Sequence, residues 1–112
     1  MLFRSLVVGA GGIHAETLRD VAVALAPVDE TAAEELIRSL ASAPLLMGTR
    51  GRPPLDLAAA ARAAAALSRF AAAHAEIAEV EVNPLLVRRE GAIGLDARIA
   101  LSDLPPSADS AV

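Results

Sequence analysis

Cysteine is absent from this chain. That excludes disulfides, thiolate nucleophiles and Cys-ligated zinc, and it fits a reducing cytoplasm. Lysine is absent too, since every basic residue is an arginine. Schiff-base chemistry and a P-loop lysine are therefore outside the chain's means. Aromatics make up only 2% of the residues. Bases would find little to stack on, and the net charge of −4 disfavours nucleic acid and anionic membrane as partners. No uninterrupted apolar run approaches the roughly 20 residues that a bilayer requires. The opening Met1-Leu2-Phe3-Arg4 precedes too short an apolar run for a signal peptide.

Aliphatic residues are plentiful. Hydrophobic residues account for 54% of the chain, and Ala, Leu, Val and Ile must build the core. With 112 residues there is enough chain for one small domain. Leu2 to Gly9 reads as a strand, ended by the turn or bulge Gly9-Ala10-Gly11-Gly12. A phosphate loop is the sharper reading of these glycines, but no helix is expected after them. Residues 13–28 read as extended structure, with a turn near Arg19-Asp20. Val21, Val23 and Leu25 alternate there with alanines, and Pro27 ends the pairing.

Thr31-Ala32-Ala33-Glu34 fits a capping box. It predicts a helix running to about Ser42, with Ala33, Leu36, Ile37 and Leu40 on its apolar face. Residues 45–54 read as irregular. Arg50 and Arg52 in that segment could meet an anion or simply face water. Asp56 is the expected cap of a second helix, about 56–75, with Leu57, Ala60, Ala64, Leu67, Phe70 and Ala71 as its stripe. Arg62 and Arg69 mark it as a helix in water. His74 at its end suits the helix dipole as a cap. The polar, Pro-rich residues 104–112 read as a frayed tail, and 1–103 as one partial domain. The expected fold class is α+β: a two-layer, mainly antiparallel sheet with two helices packed on one face.

Glu79-Val80-Glu81-Val82-Asn83-Pro84-Leu85 and Gly94-Leu95-Asp96-Ala97-Arg98 read as a β-hairpin. Side chains alternate faces along a strand, so Glu79, Glu81 and Asn83 share one face and Val80 and Val82 the other. If Arg88-Arg89-Glu90-Gly91 is the loop, Val87 pairs with Ala92 and Asn83 lies opposite Asp96. A slip of one residue would undo this. A carboxylate facing an amide oxygen is a hard-oxygen pair of the kind Mg²⁺ prefers, with waters and substrate phosphates completing the octahedron. Glu81, two residues from Asn83, could support the pair. A solvated polar face is the plain alternative.

In order and spacing these motifs resemble one family. They are Gly9-Ala10-Gly11-Gly12-Ile13 with Glu16 and Asp20, Leu25-Ala26-Pro27, Leu46 and Gly48 before Arg50-Gly51-Arg52-Pro53-Pro54, Glu76-Ile77-Ala78-Glu79, Asn83-Pro84-Leu85, and Leu95-Asp96-Ala97-Arg98. Together they look like the C-terminal part of the ATP-grasp domain of NDP-forming acyl-CoA synthetases, relatives of the succinyl-CoA synthetase β subunit. The resemblance covers residues 6–101.

The resemblance implies that Asn83 and Asp96 bind the Mg²⁺ of ATP or ADP. It implies that Gly11, Gly12 and Arg50 lie on the nucleotide side. It also implies that Glu81 supports a phosphohistidine carried by another domain. The family reaction converts acyl-CoA, ADP and phosphate into carboxylic acid, CoA and ATP. Ala24, His14 and Thr49 depart from the family's usual Arg, aromatic and Tyr. Neither His14 nor His74 matches the phosphohistidine. The lysine-bearing half of the ATP-grasp cleft and the CoA-binding domain or subunit are implied partners, with a homo-oligomer a further expectation. Alone, the chain is expected to be inactive, or else to serve as a degenerate interaction module that kept the fold.

Overall fold

The structure, a computed structural model, describes residues 4–10, 20–49 and 51–102. Strand β1 (Ser5–Gly9) pairs antiparallel with β2 (Val21–Leu25), and Val7 stands opposite Val23. Alternation decides which face of this hairpin is inward. Leu6 is buried and Val8, Ala22 and Ala24 are half-buried, while Val7, Val21, Val23 and Leu25 point outward. The expected strand from residue 13 to Arg19 lies outside the described residues.

Helix α1 (Glu30–Arg38) follows. Its N-cap is Asp29, whose carboxylate accepts the Ala32 N–H at 2.7 Å. This corrects the expectation of Thr31: two capping residues stand close together, and Thr31 is already inside the first turn. The helix also stops at Arg38, short of Ser42. A separate short helix, α2 (Ala43–Met47), occupies part of the segment expected to be irregular, with Pro44 in its first turn where a missing N–H costs nothing.

Helix α3 (Leu57–Ala73) begins where expected, with Asp56 accepting the Ala59 N–H at 3.0 Å. Its buried stripe is Leu57, Ala60, Ala61, Ala65 and Ser68. Small side chains at this spacing let α1 approach closely, and Ala33, Ile37 and Leu40 fill the contact. Phe70, expected in the stripe, is exposed and instead tilts against the His74 ring at 4.8 Å. Ser68 sits deep in the stripe. Its hydroxyl donates to the Ala65 carbonyl at 2.8 Å and accepts the buried Val28 N–H at 3.0 Å, so the interior strand-to-helix connection has its donor satisfied.

The C-terminal strands are β3 (Ile77–Val82), β4 (Leu85–Val87), β5 (Ala92–Gly94) and β6 (Ala97–Leu101). β4 pairs with β5 and β3 with β6, both antiparallel. Val87 stands opposite Ala92, as expected from the loop, and the same register carries through to Val82 opposite Ala97 and Glu81 opposite Arg98. A bulge between Ile77 and Glu79 shifts it by one at the far end. The fold class is α+β with antiparallel pairing, but among the described residues the strands form three separate two-stranded ladders and not one sheet. No helix among the described residues is long and apolar enough to cross a membrane.

Candidate functional site

The hairpin changes ladders at Asn83-Pro84 and Leu95-Asp96. Proline lacks an N–H, so it suits the step between two ladders. The backbone bridges the step without a break: Asn83 N–H donates to the Asp96 carbonyl at 2.9 Å, and Leu95 N–H to the Pro84 carbonyl at 2.9 Å. Asn83 and Asp96 therefore face each other across the strands, at the level where the regular sheet ends. Both are exposed.

The polar face is organised by one cation. Arg98 donates to Glu79 at 2.9 Å and to Glu81 at 3.3 Å. Glu81 in turn accepts the Asn83 Nδ2 amide at 3.2 Å. With its nitrogen directed to Glu81, Asn83 turns its carbonyl oxygen the other way, free to accept. Among the described residues, no hydrogen-bond donor reaches the Asp96 carboxylate. Two hard oxygen groups on opposed strands, without partners among the described residues, fit a divalent cation that keeps several waters or phosphate oxygens. No cluster of three or more His, Asp or Glu side chains of the described residues could hold a metal by itself, so an ion here would need a substrate's oxygens as well.

The hairpin is held on the helices by Asp56. Besides capping α3, its carboxylate accepts the Gly91 N–H at 2.7 Å, and its own N–H donates to the Arg88 carbonyl. Gly91 has φ +82°, a turn conformation that glycine adopts without penalty. The Gly91 N–H, then the Ala59 N–H, hold the Asp56 carboxyl below its ordinary pKa. Asp20 makes a similar clamp. It accepts the Ala41 and Ser42 N–H groups at 2.7 and 2.9 Å, and a side-chain hydrogen bond from Ser42 is the largest cause of its lowered pKa.

His74 ends α3, its ring 3.2 Å from the Glu76 carboxylate and its carbonyl accepting from Arg4 at 3.2 Å. It is a helix end, remote in sequence from the hairpin tip. Gly11, Gly12, His14 and Arg50 lie outside the described residues. Ala24 packs inward against the core. The family resemblance assigns Arg98 no role. Its signal was available, because the hairpin register alone puts it opposite Glu81.

An opposed carboxylate–amide pair at a hairpin step, on an α+β subdomain, has the donor chemistry that one wall of a metal-assisted phosphate site would need. The ATP-grasp domain model matches residues 4–101. Acetate–CoA ligase (ADP-forming) I subunit beta of Pyrococcus furiosus is 35% identical over 97 residues, which is 87% of this chain and 42% of that protein. The 4-hydroxybutyrate–CoA ligase (ADP-forming) of Nitrosopumilus maritimus is 38% identical over 98 residues, 86% of this chain and 14% of that one. A solved acetyl-coenzyme A synthetase 1 of Ca. Korarchaeum cryptofilum, in complex with coenzyme A and Mg-AMPPCP, superposes with a TM-score of 0.83 at 36% identity. It covers 88% of this chain and 46% of that one. The chain belongs to the ATP-grasp domain family, as represented in ADP-forming acyl-CoA synthetases. It spans less than half the length of these relatives.

Proposed function

We propose that the chain supplies the magnesium-holding wall of the nucleotide site in an ADP-forming acyl-CoA synthetase. The observation that carries this is the opposition of Asn83 and Asp96, their side-chain oxygens without partners among the described residues, in a chain whose solved relative is complexed with Mg-AMPPCP. Asn83 Oδ1 and the Asp96 carboxylate would hold the ion. A bound Mg²⁺ supplies charge neutralisation and alignment for phosphoryl transfer. Glu81, already accepting from Asn83 and Arg98, would receive a positively charged or N–H-bearing group from another domain, in keeping with the phosphohistidine role the family resemblance implies. Gly11, Gly12 and Arg50 would lie toward the phosphates. Residues 1–103 would act as one partial subdomain.

Phosphoryl transfer depends almost wholly on positioning and charge neutralisation. A lysine-free wall cannot enclose the phosphates, so turnover would require the lysine-bearing half of the cleft and the CoA-binding domain, in the same polypeptide or another. A second reading has its own observation. Val7, Val21, Val23 and Leu25 form an exposed apolar face, which suits a non-catalytic interaction module.

Titrating isotope-labelled chain with Mn²⁺ and ADP separates the two. Line broadening centred on Asn83 and Asp96, lost in Asp96→Ala, supports the nucleotide wall. No binding at millimolar nucleotide leaves the interaction module. Turnover by the purified chain with Mg²⁺-ATP, CoA and a carboxylic acid would refute the requirement for a second half.

A further inference from the structure

A groove of about 1280 Å³ runs between the β1–β2 hairpin and the β3–β6 hairpin. Its walls are unusual. Every residue from Arg4 to Ala10 lines it, and so does every residue from Ile77 to Leu85. Side chains of a strand alternate between faces, so an unbroken run of lining residues means that the strand presents its edge. β1 is paired only with β2, and β3 only with β6, among the described residues. The groove thus lies between two unpaired edges.

The backbone directions agree. Arg4 carbonyl and Ala10 N–H are bonded toward β2, to Ala26 and Asp20. Even-numbered residues of β1 therefore direct their backbone groups to β2, and Ser5, Val7 and Gly9 direct theirs away from it, into the groove. On β3, Asn83 N–H is bonded toward Asp96. The same alternation turns the backbone groups of Val80 and Val82 into the groove. Arg4 spans one end, donating to the His74 and Ala75 carbonyls at 3.2 and 3.3 Å. Helix α3 forms the floor with Ala60, Ala63, Ala64, Leu67 and Ala71.

We propose that this groove receives one β-strand from the remainder of the ATP-grasp module, the portion of the relatives that this chain does not span. The inserted strand would join the two ladders into one sheet. A six-residue strand is roughly 20 Å long and fills about 1000 Å³ at normal sheet spacings, close to the volume of the groove. Its alternate side chains would be apolar, to meet the alanine floor of α3. The inference rests on the chain being part of a larger ATP-grasp module. The relatives are more than twice as long as the matched region, so such a remainder exists in each of them. It belongs to that module whether it is continuous with this chain or separate from it.

Overlapping eight-residue peptides provide the probe, tiled across the unspanned part of the Pyrococcus furiosus subunit beta. Each is mixed with the full chain, without metal or nucleotide, and amide hydrogen exchange is read by NMR. One peptide slows exchange by about tenfold or more at Ser5, Val7, Gly9, Val80 and Val82 together. Val7→Pro abolishes that protection, because it removes a groove-facing N–H but no bond to β2. The wild-type exchange pattern stands as a result even if this variant folds poorly. Protection confined to other residues, protection produced by the chain's own self-association, or no protection by any peptide overturns the proposal. The metal reading of the hairpin is scored separately, at Asn83 and Asp96, so either can fail without the other.

Discussion

Asn83 and Asp96 are joined through their backbones, N–H to carbonyl at 2.9 Å, while the Asp96 carboxylate receives no donor from the described residues. An exposed carboxylate with no partner contributes little to folding. Asp96→Asn should therefore change stability by no more than about 0.5 kcal/mol. It should weaken Mn²⁺-ADP binding by at least about tenfold, since even supporting residues around a metal typically cost that much. Thermal unfolding and the Mn²⁺ titration, run on the same sample, test the two halves. Equal loss of both would mean that Asp96 is structural.

Arg98 lies against Glu79 and Glu81, with all three side chains substantially exposed. Exposed pairs of this kind are worth at most about 1 kcal/mol. Arg98→Ala should barely move the unfolding midpoint. It removes one positive charge beside the candidate metal site, so Mn²⁺ should bind roughly two- to fivefold more tightly at low salt, with the gain shrinking as salt rises. An affinity unchanged at low ionic strength would separate Arg98 from the site.

Much of the hairpin was legible in the sequence. Loop length and apolar alternation set the register from Val87 opposite Ala92 to Glu81 opposite Arg98, because a strand's period of two leaves no freedom once one face must be buried. Asp56 as a cap was legible for a local reason, the polar residue before a long alanine run. What was hidden depends on partners distant in the chain. The separation of the strands into three ladders has no local signature. Nor does the second hydrogen bond of Asp56, to Gly91. The role of Ser68 has no local signature either, since its partner Val28 is 40 residues away.

That bond gives a stability prediction. Ser68 and Val28 are both buried, and the serine hydroxyl is the partner of the Val28 N–H. Ser68→Ala would fit the space but strand the donor. The expected cost is about 1–3 kcal/mol, the usual penalty for an unsatisfied buried polar group. Denaturant unfolding measures it. A loss below about 0.5 kcal/mol would show that water or a backbone shift replaces the hydroxyl.

Gly48 follows α2 with φ +90°, where a Cβ would come 2.9 Å from the Arg52 carbonyl oxygen and 3.0 Å from the Pro54 nitrogen. Both neighbours are backbone and cannot rotate away. Gly48→Ala should cost about 1–3 kcal/mol from the conformation alone, with the close contact adding to it. The exchange rate of the Leu55 N–H, bonded to the Leu46 carbonyl at 2.8 Å across this loop, should rise with it. Unchanged Leu55 exchange would mean that the loop relaxes without loosening its neck.

Acid should release the two carboxylate clamps. Asp20 and Asp56 both have folded pKa values lowered, by the Ser42 side chain and by the Gly91 N–H as the leading causes. A lowered folded pKa means that the folded state favours the ionised form. The stabilisation is therefore fully present above the unfolded carboxylate value, about 3.9, and is lost as pH falls through the lower folded values. Unfolding midpoints should be flat from neutrality to about pH 5 on account of these groups and then fall. Asp56→Asn keeps an acceptor for one N–H but not the charge, so it should lower the midpoint at pH 7 and flatten the acid slope. Asp20→Asn should do the same independently, because the two clamps hold different pairs of elements and share no hydrogen-bond partner. Parallel acid slopes in wild type and the double variant would move the pH dependence to other carboxylates.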